Sequence, residues 1–477
     1  MRVIPTAEKA TADKATAEKA PPQGKFVTGS TLGHVITMTA TGSIGLMAVF
    51  AVDALNLFYI SLLGHQELAA AIGYAGTLLF FNTSISIGLS IAATALTSRA
   101  LGRGRRDEAR QLAGASLALI GTIMGVLAVL QFPLLRPMVH AIGARGETAE
   151  FAVTVMQIVM PSVPLLGLGL CLSGLLRAVG DARRAMYVTL GAAAAVAVLA
   201  PLLIFGLHLG INGAALATGL ARAAMVAIGW HGLVRVHGLI ARPGGAVFAR
   251  EWRPFMAIGL PAVLTQVATP VGNVVVTASI ATFGDDAVAG WAVIARLIPV
   301  AFGAIFALSG AVGPILGQNY GARRFDRLRS TVHNSFWVAL VYVLAVWAIL
   351  ALLSGPIASV FGAKGQAREL IVFFCVFVAG SFIFDGLLFV ANATFNNLGF
   401  ALYSTLLNWG RATLGVVPFV WLGAHWFGAT GVLAGYGLGV VAFGIVGAVL
   451  CLRVVSRIER AAGVSAAQDV PQPAATL

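Results

Sequence analysis

Asp53 and Asp385 stand inside long apolar runs, whereas the other acidic residues fall in tails or between such runs. A charged aspartate at the centre of a bilayer costs about 2.5–3.5 kcal/mol on insertion scales, so residues of this kind mark ion paths or proton relays. Burial disfavours the charged form of a carboxyl, and nearby cations or hydrogen bonds favour it. A carboxyl balanced between the two binds and releases a proton, or offers hard oxygen ligands to sodium. Asn56 lies three residues after Asp53 on the same helical face and joins Asp53 and Asp385 as a cation-coupling candidate. Gln266, Thr269, Asn273 and Thr277 share one face of another apolar segment, where a polar stripe either lines a cavity or joins helices. Arg222, Arg296 and Arg411 also interrupt apolar runs. With Gln266, Thr269 and Asn273, Arg296 completes the expected substrate-cavity set. The plainer alternatives are an aspartate held in a structural network and arginines that snorkel or pair with carbonyls or an aspartate.

These residues need a frame that crosses a membrane. Hydrophobic residues make up 58% of the 477 and charged residues only 10%, against the roughly 25% charged expected of a soluble domain. Apolar stretches of spanning length recur from 33 to 452. The net charge of +13 invites a nucleic-acid reading, but its distribution excludes one. Arginines cluster in alternate loops, around 99–110, 177–184, 235–253, 323–329 and 453–460, while the intervening loops carry few. That alternation is the positive-inside pattern. It implies an even number of spans, twelve by the spacing, in a multi-pass cell (inner) membrane protein with both termini cytoplasmic.

The expected fold is all-α: twelve transmembrane helices in two pseudo-twofold six-helix lobes. Its divisions are a cytoplasmic tail, 1–32, with a repeated TAEKA-like pattern and expected disorder; a first lobe, 33–235; a cytoplasmic linker, 236–253; a second lobe, 254–455; and a tail, 456–477. LLGHQELAAA at 62–71 aligns with TFGDDAVAGW at 282–291, Gly102 with Gly321, and GINGAALATG at 210–219 with GATGVLAGYG at 428–437, all at a nearly constant offset. The same register sets Asn273 opposite Asp53. Parallel repeats of this kind relate two lobes about an axis along the membrane normal, with a substrate site between them near the midplane. Asn82, Ser86, Ser90 and Thr94 recur every four residues, a small-polar stripe that favours close helix packing. No P-loop, HExxH or cysteine–histidine cluster is present, and Cys171, Cys375 and Cys451 lie scattered in apolar segments.

AVDALNLFYISLLGHQELAAA in the first span, LLRAVGDARRAM at 175–186, GINGAALATG at 210–219 and GPILGQNYGARR at 313–324 occur in order and at matching spacing. Over about 33–455 the chain thereby resembles the multidrug and toxic compound extrusion (MATE) family. The resemblance implies a V-shaped twelve-helix exporter coupled to proton or sodium influx, with Asp53 at the family's first-helix carboxylate and Asp385 on the tenth helix. The chain departs from the pattern where many members carry an Asn and an Asp on helix five. Val196 and Ala200 stand there, and Met38 is near the position of a first-helix proline.

The expected function is secondary antiport of amphipathic drug-like or metabolite substrates out of the cell. Rival readings are a flippase for lipid-linked oligosaccharide or lipid, and a non-transporting sensor or channel. No enzyme activity, no cofactor beyond H+ or Na+ as coupling ion, no resident metal and no nucleic-acid partner are expected. The partners expected are a small-molecule substrate and the bilayer, around a monomer.

Overall fold

The computed structural model describes residues 24–61, 66–242 and 244–468. Within them the chain is helical almost throughout, as a hydrocarbon environment demands, because each helix satisfies its own backbone N–H and C=O groups. The spans are α1 (Thr31–Ile60), α2 (Ala70–Gly102), α3 (Arg106–Ala141), α4 (Gly146–Val179), α5 (Ala182–Gly206), α6 (Gly210–Val236), α7 (Val247–Ala281), α8 (Asp285–Gly321), α9 (Phe325–Val360) and α10 (Gly365–Leu398). The last apolar stretch, Ala401–Ala462, is 62 residues long, too long for one crossing. It folds back at Gly428, whose φ of 63° and ψ of −145° leave the helical region and suit a residue without Cβ. The two arms, α11 (401–427) and α12 (429–462), then run antiparallel with backbones close enough that Gly415 meets Gly439 and Gly423 meets Gly431. The described residues therefore form twelve spans.

Two buried cores mark two lobes. One is built mainly from α2–α6, and the other from α8–α12. Each lobe also borrows from its counterpart. Val35 and Met38 at the start of α1 pack into the second core, whereas Phe255 and Ile258 near the start of α7 pack into the first. These helices hold equivalent places in the two repeats, so the lobes interlock by a reciprocal crossing at one end of the bundle. That end carries Arg103, Arg183, Arg323 and Arg453, and we call it the basic end.

Three sequence-derived boundaries shift. Residues 24–30, read as part of a tail, are ordered against the bundle, with Phe26 and Val27 buried. Residues 1–23, which hold the TAEKA-like repeats, lie outside the described residues. The polar stretch 236–253 includes the first turns of the helix Gly245–Ala281. The final helix runs on through 456–468, and 469–477 lie outside the described residues.

Candidate functional site

At the basic end the two lobes touch backbone to backbone. A Cβ added at Gly102 would overlap the Gln318 carbonyl, and one added at Gly321 would overlap the Arg99 carbonyl. Arg99 of α2 donates from Nε to the Asn397 carbonyl of α10 at 2.9 Å and from Nη2 to that of Asn396 at 3.2 Å. Gln318 of α8 donates to the Ala178 carbonyl of α4 at 2.6 Å. The segment before α1 is woven into the same seam. The Phe26 amide donates to Gln318 Oε1 at 2.8 Å, and Lys25 Nζ donates to the Gly180 carbonyl at 2.8 Å. Arg327 donates to the carbonyls of Gly29 at 2.8 Å and Phe26 at 2.9 Å. Phe26, 1% exposed, fills the joint between these groups.

Away from the basic end the same helix faces part. Gly88 of α2 abuts Val263 of α7, Gly303 of α8 abuts Met47 of α1, and Gly42 of α1 abuts Ala307 of α8. One or two heptads further on, at positions that share those faces, the surfaces are bare. Phe81, seven residues from Gly88, is 48% exposed, and Val274, eleven residues from Val263, is 67% exposed. Arg296 of α8 is also exposed, but the non-helical Phe302 separates it from Gly303, so helical spacing does not carry it onto that face. Faces that meet at one end and are open beyond it enclose a cleft between the lobes, closed at the basic end.

The candidate cavity residues divide along this cleft. Gln266 and Asn273 continue at seven-residue spacing the face on which Gly259 meets Leu89 and Ala92 of the other lobe. Arg296 is exposed on α8, on the far side of the kink at Phe302 from Gly303, without a hydrogen bond or ion pair. Thr269 turns inward and accepts from Arg411 Nη2 at 3.4 Å. Thr277 accepts from Trp291 Nε1 at 2.9 Å, closing a contact between α7 and α8. The expected single stripe is thus split between Gln266 and Asn273, on the cleft face, and Thr269 and Thr277, which bond to neighbouring helices.

Asp385 is buried within the second lobe rather than in the cleft. Its carboxylate accepts a hydrogen bond from the Arg411 guanidinium, and both side chains are under a tenth exposed. Thr269 adds one acceptor to the arginine, and Tyr436 lies within electrostatic reach of the pair. Tyr436 stacks edge-on against Trp291, with ring centroids 6.4 Å apart. Sequence spacing alone did not single out Trp291 and Tyr436, because the two are far apart in the chain and each reads as an ordinary core aromatic. On the first helix, the side chain of Asp53 lies outside the described residues. Asn56 is described, and its buried Oδ1 has no hydrogen-bond partner.

Several further polar groups tie helices together. Asn82 and Gln131 exchange reciprocal hydrogen bonds at 3.1 Å, and Ser90 donates to the Leu170 carbonyl at 3.0 Å, so the stripe on α2 joins α3 and α4. Arg222 is buried and donates to Ser162 Oγ at 2.9 Å. Asn392, Asn396, Ser404 and Asn408 form a closed network between α10 and α11. Among the described residues no group of three or more His, Cys, Asp or Glu is placed to hold a metal.

Comparison with known proteins gives this geometry a context. A sequence model described as MatE matches residues 43–202 and 261–422, one stretch in each lobe and in the register of the internal repeat. The FAD transporter of Shewanella oneidensis is 27% identical over 410 residues, covering 84% of this chain and 90% of that protein. The multidrug export protein MepA of Staphylococcus haemolyticus is 25% identical over 388 residues, 80% of this chain and 84% of that protein. A crystal structure of a mutant Vibrio cholerae MATE transporter, VcmN, superposes with a TM-score of 0.85 at 23% identity, over 90% of this chain and 97% of that one. A MOP superfamily transporter from Pyrococcus furiosus superposes with a TM-score of 0.86 at 21% identity, over 93% of this chain and all of that one.

Proposed function

The chain belongs to the MATE family of multi-pass membrane transporters, which are not enzymes, and from that premise we propose that it is a cation-driven exporter of small organic molecules. The observation that carries this reading is the cleft itself. The lobes are locked at the basic end by Gly102, Gly321 and the Phe26 segment, while the continuations of the same helix faces are open. With the arginine-rich loops in the cytoplasm, both termini are cytoplasmic and this state faces outward. Rocking the lobes about the midplane would close the outer faces and open the basic end, giving alternating access to a fixed site.

Asp53 is the residue through which a proton or sodium ion would act. It lies on α1, whose inner half crosses to the second lobe through Met38 and Gly42, so a change of charge on that helix bears directly on the seam. Asn56 supports this assignment, because its buried oxygen is unpartnered and one helical turn away. Asp385 is the weaker candidate, since Arg411 already occupies the place of a cation. One charge crossing 100 mV yields about 2.3 kcal/mol, enough for roughly a 50-fold gradient of a neutral substrate. The similar proteins named for FAD transport and multidrug export make a metabolite or a drug-like compound the reasonable cargo.

The deciding experiment is dye efflux in everted vesicles, with proton and sodium gradients imposed separately. Uphill movement under one gradient, lost in Asp53→Asn and kept in a folded Asp385→Asn, is the expected result. Uphill transport undiminished in Asp53→Asn would overturn the coupling role.

A further inference from the structure

The helices α4 and α10 end in the same way. Each stops at a left-handed glycine, Gly180 at φ 89° and Gly399 at φ 94°, and the carbonyls of the last residues before it must find donors outside the helix. In both helices a donor comes from the opposite lobe. Gln318 of α8 donates to the Ala178 carbonyl, and Arg99 of α2 donates to those of Asn396 and Asn397. The offset that relates Gly102 to Gly321 also relates Arg99 to Gln318, Ala178 to Asn397 and Gly180 to Gly399. The two contacts are therefore one interaction made twice, with each lobe's second helix capping the other lobe's fourth. The symmetry lies in position and not in residue type, since one capping group is a guanidinium and the other an amide.

Each donor is held by a second contact. Gln318 is fully buried, and its Oε1 accepts the Phe26 amide, which turns Nε2 toward Ala178. The Arg99 guanidinium lies 5.7 Å from the centroid of the Tyr320 ring on α8, and its charge suits the negative end of the α10 dipole. All three carbonyls lose these donors when α2 parts from α10 and α8 from α4, and water can then take the donors' place. Contacts of this kind hold a closed seam and still release.

We propose that Arg99 and Gln318 are the paired latch of the inner gate: the basic end opens only when both cross-lobe caps are released, and their strength sets how often it opens. The proposal rests on the lobes rocking open at that end and deepens that reading by naming the residues that govern the step. Both are positioning residues, and neither has to touch substrate or coupling ion.

The test uses the full-length protein in nanodiscs, where a hydrophilic maleimide reaches both faces, with Ser98→Cys as the reporter. Ser98 is wholly buried on α2 against Gly317 of α8, and its hydroxyl has no hydrogen-bond partner, so a thiol there reacts only when the seam opens. Cys171, Cys375 and Cys451 are buried and report general loosening, each site being read by peptide mass mapping. Arg99→Met should speed labelling at position 98 by about tenfold or more, as loss of a hydrogen bond from a charged group does, and Gln318→Met by about threefold or more. Arg99→Lys keeps the charge and a donor, so it should stay closer to wild type than Arg99→Met. Unchanged labelling at position 98 in both methionine variants would overturn the inference. So would faster labelling matched at Cys171, Cys375 and Cys451, because that is loss of structure rather than release of a gate. Dye efflux in the same variants keeps the two readings apart. Uphill efflux beside unchanged labelling would uphold export and remove the latch. Labelling that speeds as expected, without uphill dye movement in the wild type, would uphold the latch and remove export.

Discussion

Gly102 and Gly321 occupy equivalent positions in the two repeats, and each lies against the other helix's backbone, Gly102 on the Gln318 carbonyl and Gly321 on that of Arg99. The contact is reciprocal because the pseudo-twofold axis passes between them. Any side chain at either position must push α2 and α8 apart. Gly102→Leu or Gly321→Leu should therefore disfavour the state closed at the basic end. Val274, exposed on the open face of the cleft, supplies the reporter. In a Val274→Cys background, either leucine variant should slow labelling by a membrane-impermeant maleimide applied outside by about fivefold or more, which requires a shift of at least about 1 kcal/mol in the equilibrium between the two states.

Phe26 extends the same argument to the segment before α1. Its amide is held by Gln318, its carbonyl receives Arg327, and its ring is buried at the joint between the lobes. Removing the ring leaves a cavity where the lobes meet, and truncating a buried Phe to Ala typically costs about 3–5 kcal/mol. Part of that contact is made only when the basic end is closed, so Phe26→Ala should act on conformation as well as on stability. The same maleimide assay should show slower outside labelling in Phe26→Ala, together with a lower Tm in detergent. An unchanged labelling rate beside a lower Tm would mean that the segment is merely structural.

The repeat, the number of spans and the side on which arginines gather were legible in the sequence because they follow from periodic apolar length and loop charge. The pairing of Gly102 with Gly321 was half legible. The alignment found the two glycines, but only the fold shows that the repeats' equivalent residues touch. Asp385 was visible as an expensive acid, yet its partner Arg411 is 26 residues away on another helix, and no local pattern joins them. The polar face of α7 was read as a unit because helical spacing treats its members alike. The fold splits it, since Thr269 and Thr277 meet donors on α11 and α8, a matter of tertiary neighbours. Phe26 and Val27 did leave a sequence signal, an apolar pair within a polar segment just before a span.

Asp181 joins two connecting segments outside the membrane spans. It caps the helix Ala182–Pro201 by accepting from the Arg184 amide at 3.1 Å, and it accepts from His237 Nε2 at 2.8 Å in the segment after α6. Burial alone would raise its pKa, but the hydrogen bonds from Arg184 and His237 outweigh that and hold the carboxyl below its ordinary value. A carboxylate depressed in the folded state contributes stability above its unfolded pKa, about 3.9, and loses it as pH falls through the folded value. Asp181→Ala should lower stability by about 1–2 kcal/mol near pH 7. The gap in Tm between wild type and variant should stay level from about pH 5 upward and close only in strong acid. A gap that changes between pH 6 and 8 would assign the effect to another group.

The Asp385–Arg411 pair is best judged by a double-mutant cycle, because a buried ion pair and a coupling site respond to it differently. Both side chains are enclosed. Removing one partner strands the other's charge in a low-dielectric interior, which is destabilising by about 3–5 kcal/mol, whereas replacing both by apolar groups of similar volume is often neutral. Asp385→Leu alone should therefore lower Tm strongly, and Arg411→Met alone should do the same. Asp385→Leu with Arg411→Met should recover most of the loss. If the pair is a strut between α10 and α11, the double variant regains cation-driven transport along with Tm, since no titrating group has been taken from the ion path. Recovered Tm with transport still abolished would instead place Asp385 in the coupling step beside Asp53. Thr269 gives an internal control. Its hydroxyl contacts only the arginine's far nitrogen at 3.4 Å, so Thr269→Val should cost about 1 kcal/mol or less in the wild type and nothing in the background lacking Arg411.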